Sequence, residues 1–210
     1  MTPAPVLDRG LARLVLVAIP ALALIFYALT HLPAVMRPVT GYFWGLAVYW
    51  LLLALALWHR RGHWSLVPQW PGCCVALGFV VLMLLAALVK PPQFLALSPH
   101  VLACVVASAI VNGALEEAFW RGALLRDPTG WRSTLLPGLL FVAWHLAPLA
   151  GTVALIPLPR AALELVGGAA LLVLPAMAAR LRSGTSGAGA IGHALVNLLT
   201  FSAVASHASG

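Results

Sequence analysis

The sequence predicts an all-α protein, a polytopic membrane bundle of about seven transmembrane helices that forms one domain over residues 1–210. Hydrophobic residues make up 62% of the chain and charged residues 8%, whereas about 25% of residues are charged in a typical soluble domain. A helix needs about 20 mostly apolar residues to cross the hydrocarbon core of a bilayer. The chain therefore has room for about six to eight spans and for little else.

Seven apolar segments follow one another, separated by loops that contain Pro, Gly and Arg. They lie at roughly 12–30, 41–58, 71–89, 99–125, 133–150, 161–180 and 188–206. The first segment is long for a secretory signal and lacks a convincing cleavage site, so we expect it to be retained as a span.

The basic residues outside these segments alternate in number from loop to loop. Eight basic residues lie before the first segment or after the second, fourth and sixth segments: Arg9, Arg13, Arg60, Arg61, Arg126, Arg132, Arg180 and Arg182. Three lie after the first, third and fifth segments: Arg37, Lys90 and Arg160. Short loops rich in Lys and Arg stay in the cytoplasm, which predicts a cytoplasmic N-terminus. Because the basic residues are thinly spread, the net charge of +7 does not indicate a nucleic-acid partner.

The stretch "LEEAFWRGAL" places three charged residues inside the fourth apolar segment. A charge near the centre of a bilayer costs at least about 2.5–3.5 kcal/mol. Glu117 and Arg121 are four residues apart, so a helix brings them together as an ion pair. Glu116 points about 100° away, on the face that Asn112 shares. It either approaches the interface or meets polar groups from other helices, and its depth favours the second arrangement.

Two histidines lie inside apolar segments, whereas the other five are in loops or at segment ends. His145 is in the fifth segment and His193 in the seventh, with Asn197 one turn further along. In the predicted topology the fourth segment ends at the face where the fifth and seventh begin. Glu116, His145 and His193 therefore lie about 7–20 Å below the same membrane face, and we expect them to form one polar cluster.

A buried carboxylate near imidazoles can take a proton from water, while a second imidazole and an amide donate to an oxyanion. This chemistry suits peptide hydrolysis. A zinc site formed by Glu116, His145 and His193 is the open alternative, although the chain has no HExxH motif. Serine and cysteine nucleophiles are less favoured, because neither residue type occurs in an activating sequence context.

Three short motifs resemble, in order, the signatures of the CAAX-protease and bacteriocin-processing family of intramembrane proteases, which includes the Ras-converting type of endopeptidase. They are "EEAFWRG" with Glu116, Glu117 and Arg121, "FVAWH" with Phe141 and His145, and "HALVN" with His193 and Asn197. One departure is Trp120, at a position where the family usually has Phe.

The resemblance implies a role for each of these residues. Glu116 and His145 would activate water, and His193 and Asn197 would stabilise the oxyanion. Glu117, Arg121 and Phe141 would support the site. It also implies a catalytic core at 99–206 that works without a cofactor, with zinc as the less favoured possibility, preceded by variable spans at 1–95.

The substrate expected from the resemblance is a membrane-anchored protein or peptide, such as one with a C-terminal sorting tail or a bacteriocin-like precursor. The excess of Arg over Lys and the abundance of Ala, Leu and Pro indicate a bacterial protein of the inner membrane. Two other functions stay open, a non-catalytic immunity or scaffold protein of the same fold and a proton- or ion-coupled transporter. The chain lacks the inverted repeats that many transporters show.

Overall fold

A computed structural model describes residues 7–32, 37–89 and 93–206. Within these residues seven long apolar helices follow one another, here labelled in chain order. They are α1 Arg9–His31, α2 Pro38–His59, α3 Cys73–Val89, α4 Pro99–Ala123, α5 Trp131–Thr152, α6 Leu158–Ser183 and α7 Gly187–Ser206. In the described part of the chain the β contact is limited to one isolated bridge, between Leu7 and Leu125.

The predicted all-α class is confirmed, and each predicted apolar segment coincides with one helix. Six of the helices are long and apolar enough to cross a membrane. The exception is α3, whose 17 residues span about 26 Å at 1.5 Å per residue, somewhat less than the roughly 30 Å hydrocarbon core. Half of its described side chains, eight of the sixteen at 73–88, are exposed.

The central helix pair consists of α4 and α7, which approach closely because both present small residues. A Cβ atom at Gly113 would lie 2.8 Å from the backbone nitrogen of Ala194 and 3.0 Å from the carbonyl oxygen of Ala190. In membranes, small residues of this kind let two helix backbones come together. This close approach brings the carboxylates of α4 beside the histidine of α7.

One end of the bundle is fastened by Asp8, the N-cap of α1. Its Oδ1 accepts hydrogen bonds from two backbone amides of the first turn. Its Oδ2 accepts from Arg60 Nε at 2.9 Å and from Arg126 Nη2 at 2.6 Å. Burial alone would raise the pKa of Asp8, but the bond from Leu11 and the two arginines lower it below the ordinary value of 3.8.

These contacts place the start of α1 and the ends of α2 and α4 at one face. Arg180, near the end of α6, lies at the same face, because its Nε and Nη2 donate to the carbonyl oxygens of Arg121 and Arg126 at 2.6 and 2.7 Å. Arginines from three of the more basic loops thus lie at one face, as the alternation of basic residues along the sequence predicts. That this face is cytoplasmic stays a prediction, and Lys90, counted for the opposite face, lies outside the described residues.

Candidate active site

The C-terminal part of α4 is enclosed by protein on all sides. All ten residues from 116 to 125 are buried, and over Ala118–Ala123 the helix widens into a π-helix. The wider turn is visible in the bond from Leu124 N to Phe119 O at 2.8 Å. Segments of this type occur frequently at functional sites. Because every side chain here faces protein, the charged residues of the segment avoid contact with lipid.

The predicted ion pair is present, with Arg121 Nη1 at 3.0 Å from Glu117 Oε1 and both side chains 0% exposed. His193 Nδ1 also contacts Glu117 Oε1, at 3.1 Å. The other oxygen, Oε2, packs against α7 at Gly189, where an added Cβ would lie 2.6 Å away. Glu117 thus joins α4 to α7 as well as balancing the charge of Arg121.

Glu116 is 3% exposed, and its two carboxylate oxygens differ in their hydrogen bonds. Oε1 accepts a hydrogen bond from Asn112 Nδ2 at 2.8 Å and another from the Tyr49 hydroxyl. Oε2 has no hydrogen-bond partner among the described residues; it faces His193 Nε2 at 3.8 Å. The carboxylate is therefore held through one oxygen while the other is directed towards the imidazole.

Sequence reasoning placed Asn112 on the face of Glu116 but missed the contribution of α2. Trp50 Nε1 donates to Asn112 Oδ1 at 2.7 Å, next to the Tyr49 contact with Glu116. The dipeptide "YW" in an apolar segment is a weak indication that α2 contributes to the polar cluster, since both side chains carry a polar group that needs a partner when it is buried. Which partner they meet depends on the packing of α2 against α4.

Phe141, predicted as a supporting residue, lies among the charged and imidazole groups. Its ring centroid is 4.1 Å from the Arg121 guanidinium carbon, 4.7 Å from the His145 ring and 6.0 Å from the His193 ring. The guanidinium over the ring is a cation–π contact. Phe141 thus contacts both histidines and the guanidinium of Arg121.

His145 is only partly buried, unlike Glu116 and His193. Its Nδ1 lies 2.9 Å from the carbonyl oxygen of Phe141. Because a carbonyl oxygen can only accept, Nδ1 carries the hydrogen, and in the neutral ring Nε2 is left with a lone pair. The structure places His193 Nε2 at 3.8 Å from Glu116 Oε2, and His145 contacts Phe141 through both Nδ1 and its ring.

Asn197 lies one turn after His193 on α7 and is largely buried. Its Nδ2 has no hydrogen-bond partner within the described part of the chain. A buried amide donor without a partner is costly to leave unsatisfied. Asn197 is therefore a donor available to a bound group.

Trp120, the departure from the family pattern, is fully buried. Its ring makes edge contacts with Phe119, Phe141 and Trp144, at centroid distances of 5.0, 5.6 and 5.6 Å. These contacts make Trp120 part of an aromatic core behind the polar groups.

The alternative metal site requires three ligands close together. Among the described residues, no group of three His, Cys, Asp or Glu side chains is arranged to hold a metal ion. Glu116 Oε2 and His193 Nε2 approach each other to 3.8 Å. That the protein works without zinc stays a prediction.

Comparison with known families gives one match. Residues 98–199, just under half of the chain, match the family described as type II CAAX prenyl endopeptidase Rce1-like. This match confirms the family that the three motifs indicate, and it spans all seven residues predicted for the site. No curated protein and no solved structure matched the chain.

Proposed function

Since residues 98–199 belong to the type II CAAX prenyl endopeptidase Rce1-like family, a family of membrane proteases, we propose that this protein is an intramembrane endopeptidase that uses water activated by Glu116. The observation that carries the proposal is the unequal occupation of the Glu116 carboxylate. Oε1 is engaged by two donors, whereas Oε2 is without a hydrogen-bond partner in the described residues and faces an imidazole at 3.8 Å.

In the proposed reaction, a water molecule bound at Glu116 Oε2 attacks the carbonyl carbon of the scissile peptide bond. Glu116 takes one proton from the water as the carbon–oxygen bond forms. The tetrahedral intermediate then breaks its carbon–nitrogen bond, and the proton passes to the leaving amine. His145, partly exposed and with Nε2 free to accept, assists in orienting the water.

The oxyanion of the intermediate would be stabilised by His193 and Asn197. His193 Nδ1 lies against Glu117 Oε1 at 3.1 Å, and in the proposed reaction Nε2–H, at the other side of the ring, donates to the oxyanion. The free Nδ2 of Asn197 supplies a second donor, and donors fixed in advance are the usual basis of such stabilisation.

The proposed substrate is a membrane-anchored protein or peptide, cleaved near the membrane face at which α4 ends. The site lies close to this face because Arg180 binds the carbonyl oxygen of Arg121, within the π-helix that follows Glu116. A C-terminal sorting tail or a bacteriocin-like precursor presents a peptide bond at this depth. By the distribution of basic loops, this face is the cytoplasmic one.

The test compares purified wild type and Glu116→Gln on membrane-anchored candidate substrates encoded near this gene, with and without a chelator. Glu164→Gln is the matched control, since Glu164 is also a largely buried glutamate (7% exposed side chain) in a transmembrane helix. We expect wild type and the control to cleave with or without chelator and Glu116→Gln to be inactive. Cleavage by Glu116→Gln would refute the proposal, and inhibition by the chelator would point to a metal.

A further inference from the structure

We infer that Tyr49 is a positioning residue of the reaction: its hydroxyl, together with Asn112, engages Glu116 Oε1 and leaves Oε2 as the atom that accepts the proton from water. Tyr49 belongs to α2, outside the matched segment 98–199. The inference rests on the proposed function, because it assigns a task to Tyr49 only if Glu116 activates the water.

The first step of the argument concerns the capacity of Oε1. A carboxylate oxygen offers about two lone-pair sites, and at Oε1 two donors, the Tyr49 hydroxyl and Asn112 Nδ2, are already bound. A water molecule that needs a strong acceptor therefore finds it at Oε2, where none of the described residues donates a hydrogen bond. The two oxygens of one side chain are thus given different tasks.

The second step concerns the direction of the Asn112 amide. An indole N–H can only donate, so the bond from Trp50 Nε1 fixes the oxygen of the amide towards Trp50. The amide nitrogen is then directed at Glu116 Oε1. Trp50 and Tyr49 are neighbours on α2, so one turn of this helix determines both donors to the carboxylate.

The third step concerns the rigidity of the arrangement. Tyr49 is 2% exposed, and its ring packs at a centroid distance of 5.3 Å from that of Trp144. A buried ring held in this way cannot rotate freely, and its hydroxyl therefore fixes the rotation of the Glu116 carboxylate. Positioning of this quality matters for the rate because a displacement of about 1 Å of a reacting group can cost about 10²-fold.

The experiment compares Tyr49→Phe with Tyr42→Phe in the full chain. Tyr42 lies two turns earlier on α2, is also 2% exposed, and its hydroxyl has Thr152 as a neighbour. The inference predicts that Tyr49→Phe lowers kcat by about 10²-fold and changes KM little, because substrate binding does not use the hydroxyl. Tyr42→Phe is expected to retain wild-type kcat, with a thermal unfolding temperature similar to that of Tyr49→Phe.

A further variant keeps the test decisive. Trp50→Phe removes only the donor that directs Asn112, and a smaller fall in kcat at unchanged KM is expected even if Tyr49→Phe does not fold.

The outcomes separate this inference from the proposed function. Normal kcat in Tyr49→Phe, or in Trp50→Phe when the first variant does not fold, with Glu116→Gln inactive, overturns the role of Tyr49 and leaves the protease intact. Equal losses in Tyr49→Phe and Tyr42→Phe reduce Tyr49 to a structural residue. Activity in Glu116→Gln overturns both.

Discussion

Two helices of this protein carry a glutamate and an arginine at the same spacing, each beside a π-helical segment, yet their environments differ. In α4, Glu117 and Arg121 are 3.0 Å apart and both 0% exposed; the π-helix that contains Arg121 is buried throughout. In α6, Arg160 and Glu164 are 2.7 Å apart, with the Arg160 side chain 57% exposed and the Glu164 side chain 7% exposed. The residues of the π-helix that contains Glu164, Leu163–Gly167, are partly exposed or exposed when the backbone is counted with the side chain.

The comparison shows that helical spacing determines whether two charges can meet but not what their contact is worth. An ion pair whose arginine is exposed, as in α6, contributes about 0–1 kcal/mol, because water can take the place of the arginine. Breaking a buried pair by removing one partner costs about 3–5 kcal/mol, because the other charge is left without compensation. The same four-residue interval therefore gives an essential pair in α4 and a peripheral one in α6.

The largest expected effect comes from removing each arginine in turn. We expect Arg121→Ala to lower the free energy of unfolding by about 3–5 kcal/mol and to abolish activity, because it strands Glu117 beside Glu116. Arg160→Ala should cost about 0–1 kcal/mol and leave activity intact. Unfolding in detergent and membrane yield of the two variants would measure the difference. Equal losses would show that burial does not distinguish the pairs.

A smaller effect is expected from adding a methyl group beside each pair. At Gly189 the new Cβ would lie 2.6 Å from Glu117 Oε2, so the carboxylate must shift; at Gly167 the nearest atom is Leu163 Cδ1, at 3.5 Å. Gly189→Ala should cost about 1–3 kcal/mol and reduce cleavage. Gly167→Ala should be neutral or stabilising by about 0.5–1 kcal/mol, because alanine favours the helix.

Thermal unfolding and cleavage rate in the two alanine variants would show how tightly Glu117 is held. A fully active Gly189→Ala would mean that the carboxylate can move without disturbing His193 and Glu116.

The smallest effect is expected at the carboxylate of Asp8. The exposure of its arginine partners, 26% each, lies between that of Arg121 and that of Arg160. Asp8→Asn keeps the helix cap and loses the charge, so a cost of about 0.2–1 kcal/mol is expected. The lowered pKa of Asp8 means that this contribution is full above 3.8, its ordinary pKa, and is lost as pH falls through the folded-state pKa.

Unfolding curves of wild type and Asp8→Asn from neutral to acid pH would test this sign. The two curves should converge at acid pH. A difference that instead grows on acidification would contradict the assignment of Asp8 as an ionised partner of Arg60 and Arg126.

The sequence by itself determined the seven helices, the Glu117–Arg121 pair and the family. Length and hydropathy suffice for the helices, because a bilayer demands about 20 apolar residues for each span. The pair follows from the helical period. The family follows from the three motifs, which all lie within the matched residues 98–199. Even the shared depth of Glu116 and His193 could be predicted, since it depends only on segment order and rise per residue.

Only the tertiary structure decided which side chains complete the site. Tyr49 and Trp50 reach α4 across 67 and 62 positions in the chain, and the ring of Phe141 contacts both His145 and His193. Helix periodicity specifies the face of a residue but not the neighbouring helix that the face meets. In a membrane, that choice depends on close packing of small residues such as Gly113 and Gly189, and their fit appears only when the helices are assembled.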